Sequence, residues 1–127
     1  MPTTTITDVR TVGIEVRDQE AAVAFYVDTL GFEKRLDAQI SPEVRWIEVA
    51  PRGASTSLAL SLTPKPAGAT TDTGIRYVVP NIDAEHAAMR EGDVDVSDVL
   101  RWDGVPPMYT FDDPDGNRFY VVEASHD

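Results

Sequence analysis

The same order of strand and helix occurs twice in this chain at an offset of 63 residues, and a repeat at half the length narrows the possible architectures more than any other feature. In the first copy Val12, Ile14 and Val16 alternate with Thr11, Gly13 and Glu15, the period-two pattern of a strand with one buried face. Asp18 follows as an N-cap, and Ala21, Ala22, Phe25, Tyr26 and Leu30 recur at helical spacing until Gly31 stops the helix. In the second copy Ile75, Tyr77 and Val79 oppose Gly74, Arg76 and Val78; Asn81 or Asp83 then starts a helix carried by Ala84, Ala87, Ala88 and Met89 to Gly92. The offset pairs Val16 with Val79, Asp18 with Asn81 and Ala24 with Ala87. Strand-like runs follow each helix: residues 35–36, 44–49 and 58–62, then 96–100, 108–111 and 119–122. Each half therefore reads as βαβββ, an α+β arrangement.

The modules are expected at about residues 7–62 and 74–123 within one domain, 1–127. Residues 63–73, with two prolines and a glycine among threonines and alanines, read as an exposed connector. The longest apolar stretch, residues 21–27, falls far short of the roughly 20 residues that span a bilayer, so no membrane partner is expected. The chain has no cysteine, which removes disulfide and thiol chemistry, and no basic-then-apolar leader; a cytoplasmic location is the default. A net charge of -11, from 22 acidic against 11 basic side chains, repels a phosphate backbone and excludes nucleic acid as the expected partner. The same charge serves solubility and would attract a cationic ligand.

Four motifs stand in order along this frame: Val16-Arg17-Asp18, Phe25-Tyr26, Leu30-Gly31-Phe32 and the turn Asp113-Pro114-Asp115-Gly116-Asn117. Set in two βαβββ halves, they resemble the glyoxalase, bleomycin-resistance and extradiol-dioxygenase superfamily, the vicinal oxygen chelate fold. The resemblance covers the chain from about Val9 to Glu123. It implies two curved sheets forming a cup-shaped half-barrel with the helices outside and a ligand cavity inside, commonly completed in a homodimer. Enzymes of the superfamily hold a divalent metal with His, Glu or Gln at four strand positions. Carried onto this sequence, those positions fall on Thr11 (or Arg10 with a shift of one), near Ala59, on Gly74, and on Tyr120, four residues after Gly116. None is an imidazole or carboxylate, so no metal and no other cofactor is expected. His86, on the second helix, and His126, in the tail, read as solvated; Glu123 lies an odd number of residues from Tyr120 and reads as a surface charge on the opposite face.

Strand alternation then supplies a lining for the cup. Burial of Val12, Ile14 and Val16 turns Glu15 inward; burial of Ile47 and Val49 leaves Trp46 and Glu48; burial of the leucines in 58–62 leaves Ala59 and Ser61. The second half offers Arg76, Met108, Thr110, Asp112, Arg118 and Tyr120, and Trp102, in the loop 101–107, reads as a lid. Trp46 and Tyr120 could sandwich a planar ligand while Glu15, Glu48 and Asp112 attract ammonium groups. Alternatively, Trp46 packs at an interface and the carboxylates pair with Arg76 and Arg118. The leading expectation is a small-molecule binding protein similar to the bleomycin-resistance branch, sequestering a cationic or planar compound, with no catalytic residue assigned. The alternative is a glyoxalase- or dioxygenase-like enzyme with a non-standard metal or carboxylate centre, in which Glu15 or Glu48 acts as a general base, a buried carboxylate beside Trp46 having the raised pKa such a role needs. A third is a regulatory module whose cavity is filled by side chains.

Overall fold

A computed structural model describes residues 3–64, 66 and 68–124; His126 lies outside them. Strand β1 (Thr11–Val16) buries Ile14 and Val16 and exposes Gly13 and Glu15. The Asp18 carboxylate accepts the Ala21 N–H at 3.1 Å and starts α1 (Gln19–Val23). The helix then widens into π-helical turns over Ala24–Thr29, where Leu30 N–H reaches Phe25 O at 3.0 Å and Phe32 N–H reaches Tyr26 O at 2.9 Å. Ala22, Tyr26 and Leu30 recur every fourth residue, more than the 3.6 of an α-helix, and the wider turn keeps them on one side. Strands β2 (Glu33–Ser41), β3 (Val44–Ala50) and β4 (Ser57–Leu62) complete the first half.

The second half repeats the plan with β5 (Thr71–Val79), α2 (Ile82–Glu91), β6 (Asp95–Val96), β7 (Met108–Asp112) and β8 (Asn117–Glu123). Asn81, not Asp83, caps α2, accepting Ala84 N–H at 3.1 Å. The sheets have matching orders, β1-β4-β3-β2 and β5-β8-β7-β6, and in each the first strand runs parallel to the last. Among the described residues the fold is α+β, two four-stranded mixed sheets with two helices and no closed barrel.

Three boundaries differ from the sequence reading. β2 runs over nine residues where the sequence suggested 35–36; it is a charged edge strand with no fully buried residue, and so lacks apolar alternation. β5 begins at Thr71, inside the expected connector, because Thr71 N–H bonds to Gly116 O at 2.8 Å. β6 ends at Val96. Beyond it the Ser97 carbonyl turns to His86 Nε2 at 2.8 Å, while its hydroxyl takes the Thr110 N–H at 2.9 Å. His86 therefore packs edge-on against Tyr109 and fastens α2 to this turn, rather than being solvated.

One apolar core joins the halves: Tyr26 of the first packs edge-on against Phe119 of the second, and Phe32 packs against Tyr77. The turn after β7 locks this contact. Asp113 accepts Tyr26 Oη at 2.6 Å, Asp115 N at 2.9 Å, Asn117 N at 2.8 Å and Asn117 Nδ2 at 2.9 Å. Asn117 Nδ2 also bonds Glu15 O at 2.8 Å, and Asp115 takes Arg17 N and Nε at 3.0 and 3.1 Å. Gly116, at φ +78°, has no room for a side chain: a Cβ would stand 2.0 Å from Ala69 O. All four sequence motifs lie on or beside this junction.

Candidate ligand-binding faces

Alternation gives each sheet one face toward the core and one open face. On the first, Gly13 pairs with Ala59, Ala59 with Glu48, and Glu48 with Leu36 in a row across the strands. On the second, Arg76 pairs with Tyr120 and Tyr120 with Thr110; Val78, Val122 and Met108 form the next row, and Asp72, Arg118 and Asp112 another. The opposite faces carry Ile47, Val49, Leu58 and Leu60, and Tyr109, Phe111, Phe119 and Val121, all buried. Leu62 departs from the expected burial, being 59% exposed at the strand end.

Glu48 is buried and fully engaged. Trp46 Nε1 donates to it at 2.7 Å, Ser57 Oγ at 2.8 Å, Arg10 Nη1 at 3.2 Å and Thr11 Oγ1 at 3.5 Å. The bond from Trp46, then those from Ser57 and Arg10, hold its carboxyl below the ordinary value, against a desolvation that acts the other way. The raised pKa expected of a base beside Trp46 is therefore not present: indole and hydroxyl donors stabilise the charged form more than burial disfavours it. Trp46 lines a hollow of about 390 Å³ with Val44, Ser61 and Leu62.

On the second sheet Tyr120 Oη donates to Asp72 at 2.7 Å, and Arg76 Cζ stands 4.5 Å over its ring, a cation–π contact. Asp72 also accepts Gly74 N–H at 2.9 Å; the Tyr120 bond first and this one second hold its carboxyl low, and the same bond raises the phenol. Arg118 grips Asp112 with two nitrogens, at 2.8 and 3.0 Å. Met108 and Thr110 lie on this face. Glu15 is apart, lining a hollow of about 230 Å³ between β1 and β5. Trp102 is 62% exposed in its loop and is not among the residues lining these hollows. Among the described residues, no hydrogen bond, ion pair or ring contact joins the Trp46 and Glu48 pair to the Tyr120 group. A further apolar hollow of about 280 Å³ opens on the helix side, beside Phe32, Tyr77 and Met89.

Sequence reasoning missed Asp72, which it placed in the connector, and Arg10, Thr11 and Ser57 as the partners of Glu48. Of the alternative in which the carboxylates pair with Arg76 and Arg118, the structure has the Arg118–Asp112 pair, while Arg76 stacks on Tyr120 and bonds Gly74 O at 2.8 Å. Glu123 faces away from Tyr120 as expected, yet it accepts Ile82 N–H at 3.1 Å at the start of α2 and is more than a surface charge.

At the four positions to which the resemblance carries the metal ligands, the structure shows other engagements. Thr11 Oγ1 is engaged with Glu48 and Ser57, Ala59 and Gly74 offer no side-chain donor, and Tyr120 holds Asp72. Among the described residues no three His, Asp or Glu side chains converge to hold a metal. No helix among them is long and apolar enough to cross a membrane.

With two matching βαβββ halves, the interlocking turn and these open faces in view, the chain belongs to the glyoxalase/bleomycin resistance protein/dioxygenase superfamily, whose family model matches residues 9–121. A member of that superfamily from Sphaerobacter thermophilus is 37% identical, with a TM-score of 0.87 over 95% of this chain and 100% of the other. TnmS3, an antibiotic binding protein from Streptomyces sp. CB03234, is 32% identical, with a TM-score of 0.82 over 97% of this chain and 100% of TnmS3. Among curated proteins, the uncharacterized YetH of Bacillus subtilis is 40% identical over 55 residues; the match spans 43% of this chain and about half, 46%, of YetH.

Proposed function

We propose that this protein binds and sequesters a planar or cationic small molecule, as a cytoplasmic homodimer and without metal chemistry. The observation that carries the reading is the pairing of aromatic ring with carboxylate on each open face, Trp46 with Glu48 and Tyr120 with Asp72. Each ring is oriented by its partner, which lowers the entropic cost of stacking, and the Arg76 guanidinium over Tyr120 marks a place where a ligand's cation or planar group would sit. The likeness to an antibiotic binding protein over nearly the whole chain supports it. Exposed Leu36 beside Glu48, and Val78 beside Val122, suit burial against a second copy. A first sheet facing the partner's second sheet would bring the two aromatic groups to one cavity.

The lowered pKa of Glu48 speaks against its use as a general base. Titrating the purified protein with bleomycin and with planar cations, while following the fluorescence of Trp46 in a Trp102→Phe background, tests the proposal. A saturable change is expected, and no response to any compound would overturn it. Stoichiometric zinc, nickel or iron in protein purified without chelator would overturn the metal-free part, and a monomer in sedimentation the dimer.

A further inference from the structure

The ion pair between Arg10 and Glu48 is looser than the chain's two-nitrogen pairs, and its arginine is more exposed than Arg17, which holds buried Asp115 at 3.1 Å. Arg118 holds Asp112 through two nitrogens at 2.8 and 3.0 Å, and Arg45 holds Asp37 through two at 2.8 Å each. Arg10 reaches Glu48 through one nitrogen at 3.2 Å, and shares that nitrogen with Thr11 Oγ1 at 2.9 Å. The arginine side chain is 75% exposed, the glutamate's 5%. Arg10 also precedes β1, at the end of an exposed segment without regular structure, residues 3–10.

A buried carboxylate keeps its charge only with donors or a counter-ion. For Glu48 the donors, Trp46 and Ser57, come from strands β3 and β4, whereas the counter-ion is a loosely held side chain from outside the sheet. We propose that Glu48 is the recognition point for the ammonium or guanidinium group of a ligand, and that Arg10 is the chain's own cation holding that place until the ligand displaces it. This rests on the open face being the ligand-binding face. It also makes Arg10 a selectivity device. A cation that displaces Arg10 restores the charge balance at Glu48, while a neutral planar molecule that does so leaves a buried carboxylate uncompensated. Arg10 thereby lowers the apparent affinity for every ligand that displaces it, and only a ligand with a charge of its own recovers that loss at Glu48.

The test is calorimetric titration of the full chain with proflavine, a planar cation, and with acridone, a neutral ring of similar shape. Arg10→Ala is expected to tighten proflavine binding by about two- to five-fold, the scale of an exposed ion pair; acridone, which displaces the same side chain, should gain by a similar factor and stay the weaker ligand in both proteins. Arg52→Ala removes a cation from an exposed turn and should leave proflavine at the wild-type level. Unchanged or weaker proflavine binding in Arg10→Ala, or an equal gain in Arg52→Ala, overturns the proposal. If proflavine binds neither protein, the planar-ligand reading is in difficulty, but the exchange at Glu48 can still be judged. Millimolar methylguanidinium should then shift the Trp46 indole N–H resonance, at lower concentration in Arg10→Ala than in wild type. No shift in either protein overturns the proposal.

Discussion

Two tyrosine–carboxylate pairs of nearly equal length occupy opposite situations in this molecule. Tyr26 Oη meets Asp113 at 2.6 Å in the core between the halves, and Tyr120 Oη meets Asp72 at 2.7 Å on an open face. Around the first pair everything is spent: Asp113 takes three further N–H donors, and burial, reinforced by Asp113, pushes the Tyr26 phenol well above its ordinary range. Around the second, the ring carries only Arg76 on its face. One bond chemistry thus makes a fastener where it is buried and fully satisfied, and a presented surface where it is not.

The largest effect expected is that of Asp113→Ala, which strips Tyr26, Asp115 and Asn117 of a shared acceptor inside the core. Urea denaturation should show a loss of ~4 kcal/mol, the scale for breaking a buried charged contact. Gly116→Ala comes next, at ~3 kcal/mol, from the left-handed backbone and the clash with the passing Ala69 carbonyl. Losses within ~1 kcal/mol in either variant would mean that the turn is not what holds the halves together.

The matched pair of hydroxyl deletions sharpens the comparison directly. Tyr26→Phe is expected to cost ~2 kcal/mol, as for a hydrogen bond to a charged acceptor. Tyr120→Phe should leave the urea midpoint close to that of wild type by the same measurement, while altering binding of a planar ligand. Equal costs would erase the distinction between fastener and surface.

This contrast explains what could be read in the sequence. Val16-Arg17-Asp18, Phe25-Tyr26 and Asp113 to Asn117 are separated by nearly a hundred residues, yet they bond one another: Arg17 to Asp115, Tyr26 to Asp113, Asn117 to the Glu15 carbonyl. The junction requires those residue types, so the motifs that identify the family report the fold and say little about the ligand. The open faces follow from alternation alone, which is why Trp46, Glu48, Thr110 and Tyr120 could be placed on them. Their partners could not be read. Asp72 sits in a stretch with connector composition that joins the sheet through the Thr71 N–H bond to Gly116 O and the Thr73 hydroxyl bond to Arg118 O, and Arg10 lies outside any periodic element. Charged β2 had no pattern to read at all, since an edge strand exposed on both sides need not alternate.

The smallest expected effect concerns Glu48, which combines features of both situations: it is buried, yet on an open face, with an exposed counter-ion. Its carboxyl is held below its ordinary 4.5, so the folded chain takes up this proton less readily than the unfolded one. The stabilisation is complete above about pH 4.5 and is lost as pH falls through the lowered folded value. Glu48→Gln keeps an acceptor for Trp46 and Ser57 but cannot titrate. The stability gap between wild type and Glu48→Gln should therefore be constant from pH 7 down to about 4.5 and close below it. A gap that instead widens on acidification would mean that burial outweighs the donors, returning Glu48 to the company of raised carboxyls suited to general-base work. A gap that closes as expected leaves it a permanent anion at neutral pH, a fixed negative charge at the edge of the Trp46 indole and better suited to holding a cation than to moving a proton.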